Sequence, residues 1–329
     1  MDIKNVLKIP VSILELATIT EGKTIQDTFS NSADLASQAE GWGFKRFWLA
    51  EHHNMVSVAS SATSVLIGYI ASTTKTIRVG SGGIMLPNHA PLMVAEQFGT
   101  LGTIYPGRID LGLGRAPGTD PVTARALRRE MHAGDVFPSQ LKELMIYFSP
   151  QNKSGVVRAI PGEGVDIPIW ILGSSTDSAY LAAEKGLPYA FASHFAPSQL
   201  ILALKIYHQN FRPSQYLSKP HTMACINVIA ADTDEEAHFI ATSFYQLATG
   251  IITGQRKPLQ PPVKKMEWSD YEKMAVSQMM EYSFIGSAET VGKGLEQFVD
   301  LTRVDELMIA GHIFDHKARL KSFEIISSL

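Results

Sequence analysis

The chain has almost no cysteine, little net charge and no long apolar run, and each absence excludes a class of protein. Cys225 is the one cysteine among 329 residues, which excludes an intramolecular disulfide and a cysteine-rich metal site. A net charge of −3 gives no electrostatic reason to expect nucleic acid or an anionic membrane surface as a partner. No apolar run approaches the roughly 20 residues that span a bilayer, and no signal peptide is visible. We therefore expect a cytoplasmic protein.

The apolar residues that are present, 45% of the chain, suffice for a large core in a single domain over residues 1–329. Eight short apolar runs of strand length alternate with segments of helical spacing, which favours a parallel sheet covered by helices. These runs are residues 6–16, 47–50, 77–85, 109–114, 167–172, 189–192, 223–231 and 306–310. Eight such units predict an α/β fold, the (β/α)8 TIM barrel, with insertions after strands 4 and 7. Within the second insertion, the polar, proline-containing residues 254–268 predict a mobile loop or lid.

The densest cluster of proton-handling groups follows the second run, where the sequence reads Glu51, His52, His53 and Asn54. Barrel enzymes carry their catalytic groups at the carboxyl ends of the strands, so Glu51, His52 and His53 are the catalytic candidates. A histidine near its free pKa can give or take protons at neutral pH. Because neighbouring strand residues face opposite ways, we expect His52 and His53 to do different jobs. The alternative is a purely structural hydrogen-bonding role.

Three further histidines, His89, His194 and His312, also lie at predicted strand ends. A metal site would need several such ligands at a recognisable spacing, and neither HxH nor HExxH occurs in the chain. The sequence therefore predicts no metal site.

Two glycine-containing segments have the composition of an anion site. Residues 112–118 (GLGRAPG) follow the fourth run, but Pro117 and the delayed helix do not suit a dinucleotide-binding fingerprint. Arg115 could instead hold a phosphate through its fork of donors, or form an ordinary surface ion pair. Residues 173–175 (GSS) open a helix, whose free amides can bind an anion or be capped by a serine. We expect Arg115 and this turn to converge on one phosphate.

Five segments together resemble the bacterial-luciferase-like flavin monooxygenase family, in particular its single-chain bacterial members. The segments are FWLAEHHN, SGGIMLPNHAPLMVAEQFGTL, YPGRIDLGLGRAPG, WILGSSTDSAYLAAEKGLPYAFASHF and IFDHKARL. The resemblance spans nearly the whole chain and is weakest over residues 137–165 and 250–280. It implies a (β/α)8 barrel, usually a homodimer, that holds reduced FMN at the carboxyl ends of the strands.

The resemblance also implies roles for individual residues. His52 matches the residue that assists proton transfer during oxygen chemistry. The residues implied to bind the cofactor are Ser81, Gly82 and Gly83 along the flavin ring, and Gly114, Arg115, Gly173, Ser174 and Ser175 around its phosphate. Gly114 stands where the luciferase catalytic chain has a cysteine, and the long mobile loop of luciferase is not recognisable. Flavin oxygenation or simple reduction is therefore expected rather than light emission.

Three functions remain open from the sequence. The first is a monooxygenase that uses FMN, reduced by a separate NAD(P)H:flavin reductase, and O2 on a small organic substrate. The second is an oxidoreductase of the same fold that transfers hydride with a deazaflavin and without oxygen. The third is a non-catalytic flavin-binding protein, against which the histidine pair and the polar strand ends weigh.

Overall fold

A closed barrel of parallel strands is the centre of the fold in the computed structural model, which describes residues 8–116, 119–128 and 136–329. Eight strands form the barrel in the order β1-β2-β3-β4-β5-β6-β7-β9, and β9 closes it by pairing with β1. These strands are β1 (Val11–Glu15), β2 (Arg46–Leu49), β3 (Arg78–Met85), β4 (Ile109–Gly114), β5 (Ile169–Gly173), β6 (Tyr189–Phe191), β7 (Thr222–Ala230) and β9 (Glu306–Ala310). The predicted TIM barrel is confirmed.

Helices cover the outside of the barrel. They are α1 (Ile25–Gly41), α2 (Thr63–Thr73), α3 (Pro91–Ile104), α4 (Pro121–Ala126), α5 (Phe137–Phe148), α6 (Thr176–Lys185), α7 (Leu200–Asn210), α8 (Asp234–Thr253), α9 (Asp270–Met279), α10 (Ala288–Thr302) and α11 (His316–Ser327). The sequence also predicts a helix over residues 121–131, and the end of that range lies outside the described residues. Among the helices of the described ranges, none is both long enough and apolar enough to cross a membrane.

The barrel strands read as unbroken apolar runs because both of their faces are buried. All four residues of β2 are buried, as are all nine of β7. Phe47 and Leu49 belong to the core between the barrel and the helices, whereas Trp48 belongs to the core inside the barrel. This alternation follows from the period of two along a strand. Cys225 packs in the inner core, where burial raises the pKa of its thiol.

A buried ion network lies at the opposite end of the barrel from the strand carboxyl ends. Arg46 Nη1 contacts Asp110 Oδ2 at 2.7 Å, and Arg46 Nε contacts Glu306 Oε1 at 2.9 Å. Arg78 Nη2 contacts the other oxygen of Asp110 at 2.6 Å, and Trp48 Nε1 donates to Asp110 at 3.1 Å. Burial alone would lower the pKa of Arg46, but the two carboxylates raise it above its usual value. The network therefore stays charged and ties β2, β3, β4 and β9 together.

Both predicted insertions are present. The segment between β4 and β5 contains α4 and α5, and the segment between β7 and β9 contains α8, α9, a short strand β8 (Ser283–Gly286) and α10. The sequence did not predict β8, which pairs with the end of β7. Residues 254–268 contain neither helix nor strand, but Leu259 is buried and its N–H donates to the carbonyl of Ile19 at 2.8 Å. That the segment moves as a lid stays a prediction.

Candidate functional site

Glu51 connects the carboxyl ends of β2 and β3. Its carboxylate is fully buried and contacts the Nε2 atoms of both His53 and His89 at 2.9 Å. The backbone N–H of Met85 donates to the same carboxylate at 3.1 Å. Burial alone would raise the pKa of Glu51, but the hydrogen bonds from His53 and His89 lower it to about 2. Glu51 is therefore an anion at neutral pH that orients two imidazoles.

Replacing Glu51 by glutamine is expected to reduce the loss of unfolding free energy that the protein shows as the pH falls below about 4.5. A carboxylate whose pKa is lowered in the folded state stabilises that state above its unfolded pKa, and the gain is lost as the pH falls from about 4.5 to about 2. The difference corresponds to about 3 kcal/mol of unfolding free energy. Urea unfolding of wild type and Glu51→Gln between pH 2 and 7 measures it. Groups elsewhere titrate equally in both proteins, so parallel curves would contradict this role of Glu51.

His52 and His53 have different surroundings, but both follow the end of β2 at Leu49 and so lie outside the strand alternation; that they do different jobs stays a prediction. His53 contacts Glu51, whereas His52 lies close enough to His194, just after β6, that a positive charge on His52 would lower the pKa of His194. The backbone N–H of His52 donates to the carbonyl of Ser60 at 2.9 Å. The Ser60 hydroxyl in turn donates to the carbonyl of Ala50 at 2.5 Å. These bonds fix the backbone around His52 on the rim of the barrel.

The glycines of β3 permit close packing inside the barrel. Ser81 is buried, and its hydroxyl donates to the Gly112 carbonyl at 2.8 Å while accepting the Gly112 N–H at 3.0 Å. The peptide bond between Gly82 and Gly83 is cis. A side chain at Gly83 would collide with Leu172, and one at Gly82 would collide with Leu14. Of the two glycines, Gly82 is the one that lines a cavity at the mouth of the barrel.

Arg115, just after β4, lies beside the start of α6. Arg115 Nη2 contacts Asp177 Oδ2 at 3.1 Å, and both side chains are well exposed. A cavity of about 310 Å³ opens here. Its lining residues are Arg115, Phe137, Pro138, Leu172, Asp177, Ser178 and Leu181. The structure thus brings together the two segments that the sequence placed around one anion.

The amides at the start of α6 are not used by a serine cap. Ser175 is the N-cap residue, yet its side chain makes no capping hydrogen bond, and Ser174 is exposed. A side chain at Gly173 would collide with Ser178, so glycine lets the first turn of α6 lie against the end of β5. The backbone N–H of Thr176, the first residue of α6, donates instead to the side chain of Gln199 at 3.2 Å. Capping by Ser175 is therefore wrong for this turn, and binding of an anion at the helix N-terminus stays a prediction.

Leu172 lies between the cavity beside Arg115 and the mouth of the barrel, because it lines both. The mouth cavity is otherwise mostly apolar. Its lining residues are Leu14, Trp48, Gly82, Leu172, Ala190, Phe191, Ala192, His194, Met223, Cys225 and Met308. Gly114, at the end of β4, permits the close approach of the Met85 sulfur to the strand. The arrangement places the Arg115 guanidinium at one end and an apolar floor at the other.

Of two histidines that the sequence placed at strand ends, but not in the site, His194 lines this mouth and His312 stacks on Phe244. Burial lowers the pKa of His194 to about 3, with the charges of His312 and His52 acting in the same direction. Burial likewise lowers the pKa of His312 to about 4, helped by Arg319. Both imidazoles are therefore neutral at pH 7. Among the described residues, no group of three or more His, Cys, Asp or Glu side chains could hold a metal ion.

Sequence comparison places the chain among known proteins. The profile of luciferase-like monooxygenases matches residues 10–305. A luciferase-like monooxygenase of Escherichia coli (strain K12) is 52% identical over 321 residues, covering 96% of each chain. An N-acetyl-S-alkylcysteine monooxygenase of Bacillus subtilis (strain 168) is 38% identical over 236 residues, covering 70% of each chain.

Solved structures share the same barrel. Apo-MsnO8 superposes with a TM-score of 0.86 at 32% identity, covering 97% of both chains. The oxygenating constituent of 3,6-diketocamphane monooxygenase, in complex with FMN, has a TM-score of 0.73 at 18% identity over 97% of both chains. An F420-dependent secondary alcohol dehydrogenase has a TM-score of 0.72 at 15% identity, covering 97% of this chain and 98% of its own. On the profile match and the close relatives, the chain belongs to the luciferase-like monooxygenase family of enzymes.

Proposed function

We propose that the protein is an FMN-dependent monooxygenase, which uses reduced FMN and O2 to oxygenate a small organic substrate. The main support for this proposal is that Leu172 lines both the cavity beside Arg115 and the apolar mouth of the barrel. An elongated ligand with an anionic end and a flat apolar end would reach both cavities by lying across Leu172. The related fold that holds FMN supports the same assignment.

The phosphate of FMN would lie between Arg115 and the start of α6, where it would replace the Gln199 side chain at the N–H of Thr176. Arg115 now contacts Asp177, but an ion pair between exposed side chains contributes little stability. Arg115 can therefore exchange the carboxylate for a phosphate at small cost. Gly173, Ser174 and Ser175 would surround the same phosphate, and Gly114 would lie beside it.

The flavin ring would lie over the mouth, along the strand end formed by Ser81, Gly82 and Gly83. Reduced FMN, when bound, would supply the electrons that activate molecular oxygen. The apolar floor excludes water, which protects a reactive oxygen species from side reactions. His52 would hold or deliver a proton at the rim. Glu51 and His53 would stabilise the arrangement of side chains at this rim, since the Glu51 carboxylate holds the imidazoles of His53 and His89 in place.

A deazaflavin-dependent hydride transfer is the second candidate function, because one solved structure with the same fold is F420-dependent.

An anaerobic titration with photoreduced FMN, followed by mixing with oxygenated buffer, distinguishes the candidate functions. We expect tight binding and a transient near-ultraviolet absorbance that differs from both oxidised and reduced FMN. The variant His52→Gln is expected to bind FMN normally but to change the lifetime of this transient. Binding with immediate reoxidation would favour a flavin-binding protein, and no binding at all would favour the deazaflavin.

We further propose that the enzyme acts as a homodimer and receives reduced FMN from a separate reductase. The outer face formed by α2 and α3 supports the dimer, because α2 has no charged residue and both helices expose large apolar side chains. Val65 on α2 is 69% exposed and Met93 on α3 is 56% exposed. Each is the third residue of its helix, so the two lie at the same end of this face.

Replacing Val65 by lysine is expected to dissociate this dimer, because association would then bury two uncompensated charges. Light scattering after size exclusion would report a mass near the 36.0 kDa of one chain instead of twice that value. Leu202→Lys, at an exposed apolar position on α7, is the matched control and should leave the mass unchanged. A Val65→Lys protein that keeps the wild-type dimeric mass would exclude this face as the interface.

A further inference from the structure

Three sulfur-containing side chains lie together inside the barrel: Met223 and Cys225 on β7, and Met308 on β9. Met223 and Cys225 are two residues apart, so their side chains point to the same face of the sheet. Cys225 and Met308 are direct partners where β7 pairs with β9. All three side chains line the cavity at the mouth. Sulfur-containing side chains therefore form part of the floor over which the flavin ring would lie.

These side chains are shielded from bulk water but border the mouth. Met223, Cys225 and Met308 are 0%, 6% and 2% exposed. The cavity that they line has a volume of about 40 Å³, enough for a molecule of the size of water or a peroxide. Two other methionines, Met93 on α3 and Met274 on α9, are each 56% exposed. An oxidant in bulk solution therefore reaches the exposed pair first, whereas an oxidant formed in the mouth lies beside the buried pair.

The chemistry of sulfur distinguishes the two methionines of the floor from the cysteine. A thioether attacks a peroxide without first losing a proton, and the product is methionine sulfoxide. A thiol reacts mainly as the thiolate, and burial raises the pKa of the Cys225 thiol. Met223 and Met308 are therefore the side chains of this sulfur group that an oxidant in the mouth should modify first.

We propose that Met223 and Met308 are modification sites, which the enzyme oxidises to the sulfoxide when reduced FMN and O2 react in the mouth without a substrate. The oxidant is a hydroperoxide, and its supply rests on the proposed function, in which reduced FMN gives two electrons to O2. The methionine sulfur takes the terminal oxygen and gives two further electrons, so that an S–O bond forms as the O–O bond breaks. The remaining oxygen takes up a proton and leaves as the hydroxyl group of water or of an alcohol.

The sulfoxide would change the floor of the cavity. It is polar and accepts hydrogen bonds, whereas most of the residues that line this cavity are apolar. A polar group without a partner is poorly accommodated beside the flavin ring, so oxidation is expected to weaken FMN binding at least about fivefold. The modification would thus stop the enzyme from consuming reduced flavin while no substrate is present.

Peptide mass spectrometry tests these sites in the full-length protein. The protein reacts with photoreduced FMN and isotopically labelled O2, without an organic substrate and with catalase to destroy peroxide that escapes into solution. We expect labelled sulfoxide at Met223 and Met308, and little at the exposed Met93 and Met274. Hydrogen peroxide added without flavin should give the opposite order, because it arrives from the bulk solution. Equal labelling of the buried and exposed pairs in the FMN reaction would overturn the proposal.

Leucine variants connect the modification to its effect. The double variant Met223→Leu/Met308→Leu keeps the approximate volume of both side chains but removes their sulfur. After the same reaction, wild type and the control Met93→Leu should have lost FMN affinity at least about fivefold, whereas the double variant should keep its initial affinity. An equal loss in the double variant would overturn the effect of the modification.

Absorbance of the same samples separates a failure of these sites from a failure of the proposed function. The near-ultraviolet transient without sulfoxide at Met223 or Met308 would overturn the modification and leave the oxygenase function standing. Absence of both the transient and the sulfoxide would overturn the two together.

Discussion

Replacing Asp110 by asparagine is expected to lower the unfolding free energy by about 3–5 kcal/mol. The substitution keeps the shape of the side chain but removes the anion that Arg46 and Arg78 share inside the barrel. Arg46 would then keep its contact with Glu306, whereas Arg78 would lose the carboxylate that it contacts. Breaking one partner of a buried ion network leaves an uncompensated charge, and its desolvation is no longer offset. Urea unfolding at neutral pH measures the loss.

A surface ion pair provides the control for this prediction. Asp300 and Arg303 form a pair at 3.3 Å whose side chains are both largely exposed. Asp300→Asn is expected to change the unfolding free energy by less than about 1 kcal/mol. Equal losses in Asp110→Asn and Asp300→Asn would mean that the network at the closed end of the barrel is not important for stability.

Replacing Arg115 by alanine is expected to weaken FMN binding by about 10- to 100-fold. Hydrogen bonds to a charged partner contribute about 1.5–3 kcal/mol, which corresponds to that range of dissociation constants. The backbone amides at the start of α6 would remain, so binding should be weakened rather than abolished. Quenching of flavin fluorescence on titration measures the affinity.

Riboflavin, which lacks the phosphate, distinguishes the loss of a phosphate contact at Arg115 from general damage to the flavin site. Wild type should prefer FMN to riboflavin, and Arg115→Ala should lose most of that preference while its affinity for riboflavin stays the same. Arg125→Ala, at an exposed arginine on the nearby α4, should leave both affinities unchanged. If FMN and riboflavin affinities fall together in Arg115→Ala, Arg115 does not bind the phosphate.

The alternation of short apolar runs and helical segments in the sequence was sufficient to predict the barrel. All eight predicted runs overlap the barrel strands, because strands buried on both faces need apolar residues throughout. The strand β8 was missed, since Ser283–Gly286 is only four residues long and none of its first three is fully buried. Its pairing with the end of β7 is a tertiary contact without a periodic signal of its own.

The sequence by itself determined which chemical groups stand at the strand ends, including Glu51, His52, Arg115 and residues 173–175. It did so because in a parallel barrel every strand carboxyl end reaches the same rim. Only the tertiary structure decided which of these groups meet. It paired Glu51 with His89, which lies 38 residues further along the chain.

The ion network and the neutral state of His194 and His312 were also decided by the tertiary structure. Arg46, Asp110 and Glu306 are distant in the sequence and look like ordinary charged residues near strand starts. Closure of the barrel brings them within hydrogen-bond distance of one another and removes them from water. Burial likewise lowers the pKa of both histidines. Desolvation and charge pairing depend on distances across the barrel, and a linear sequence does not contain those distances.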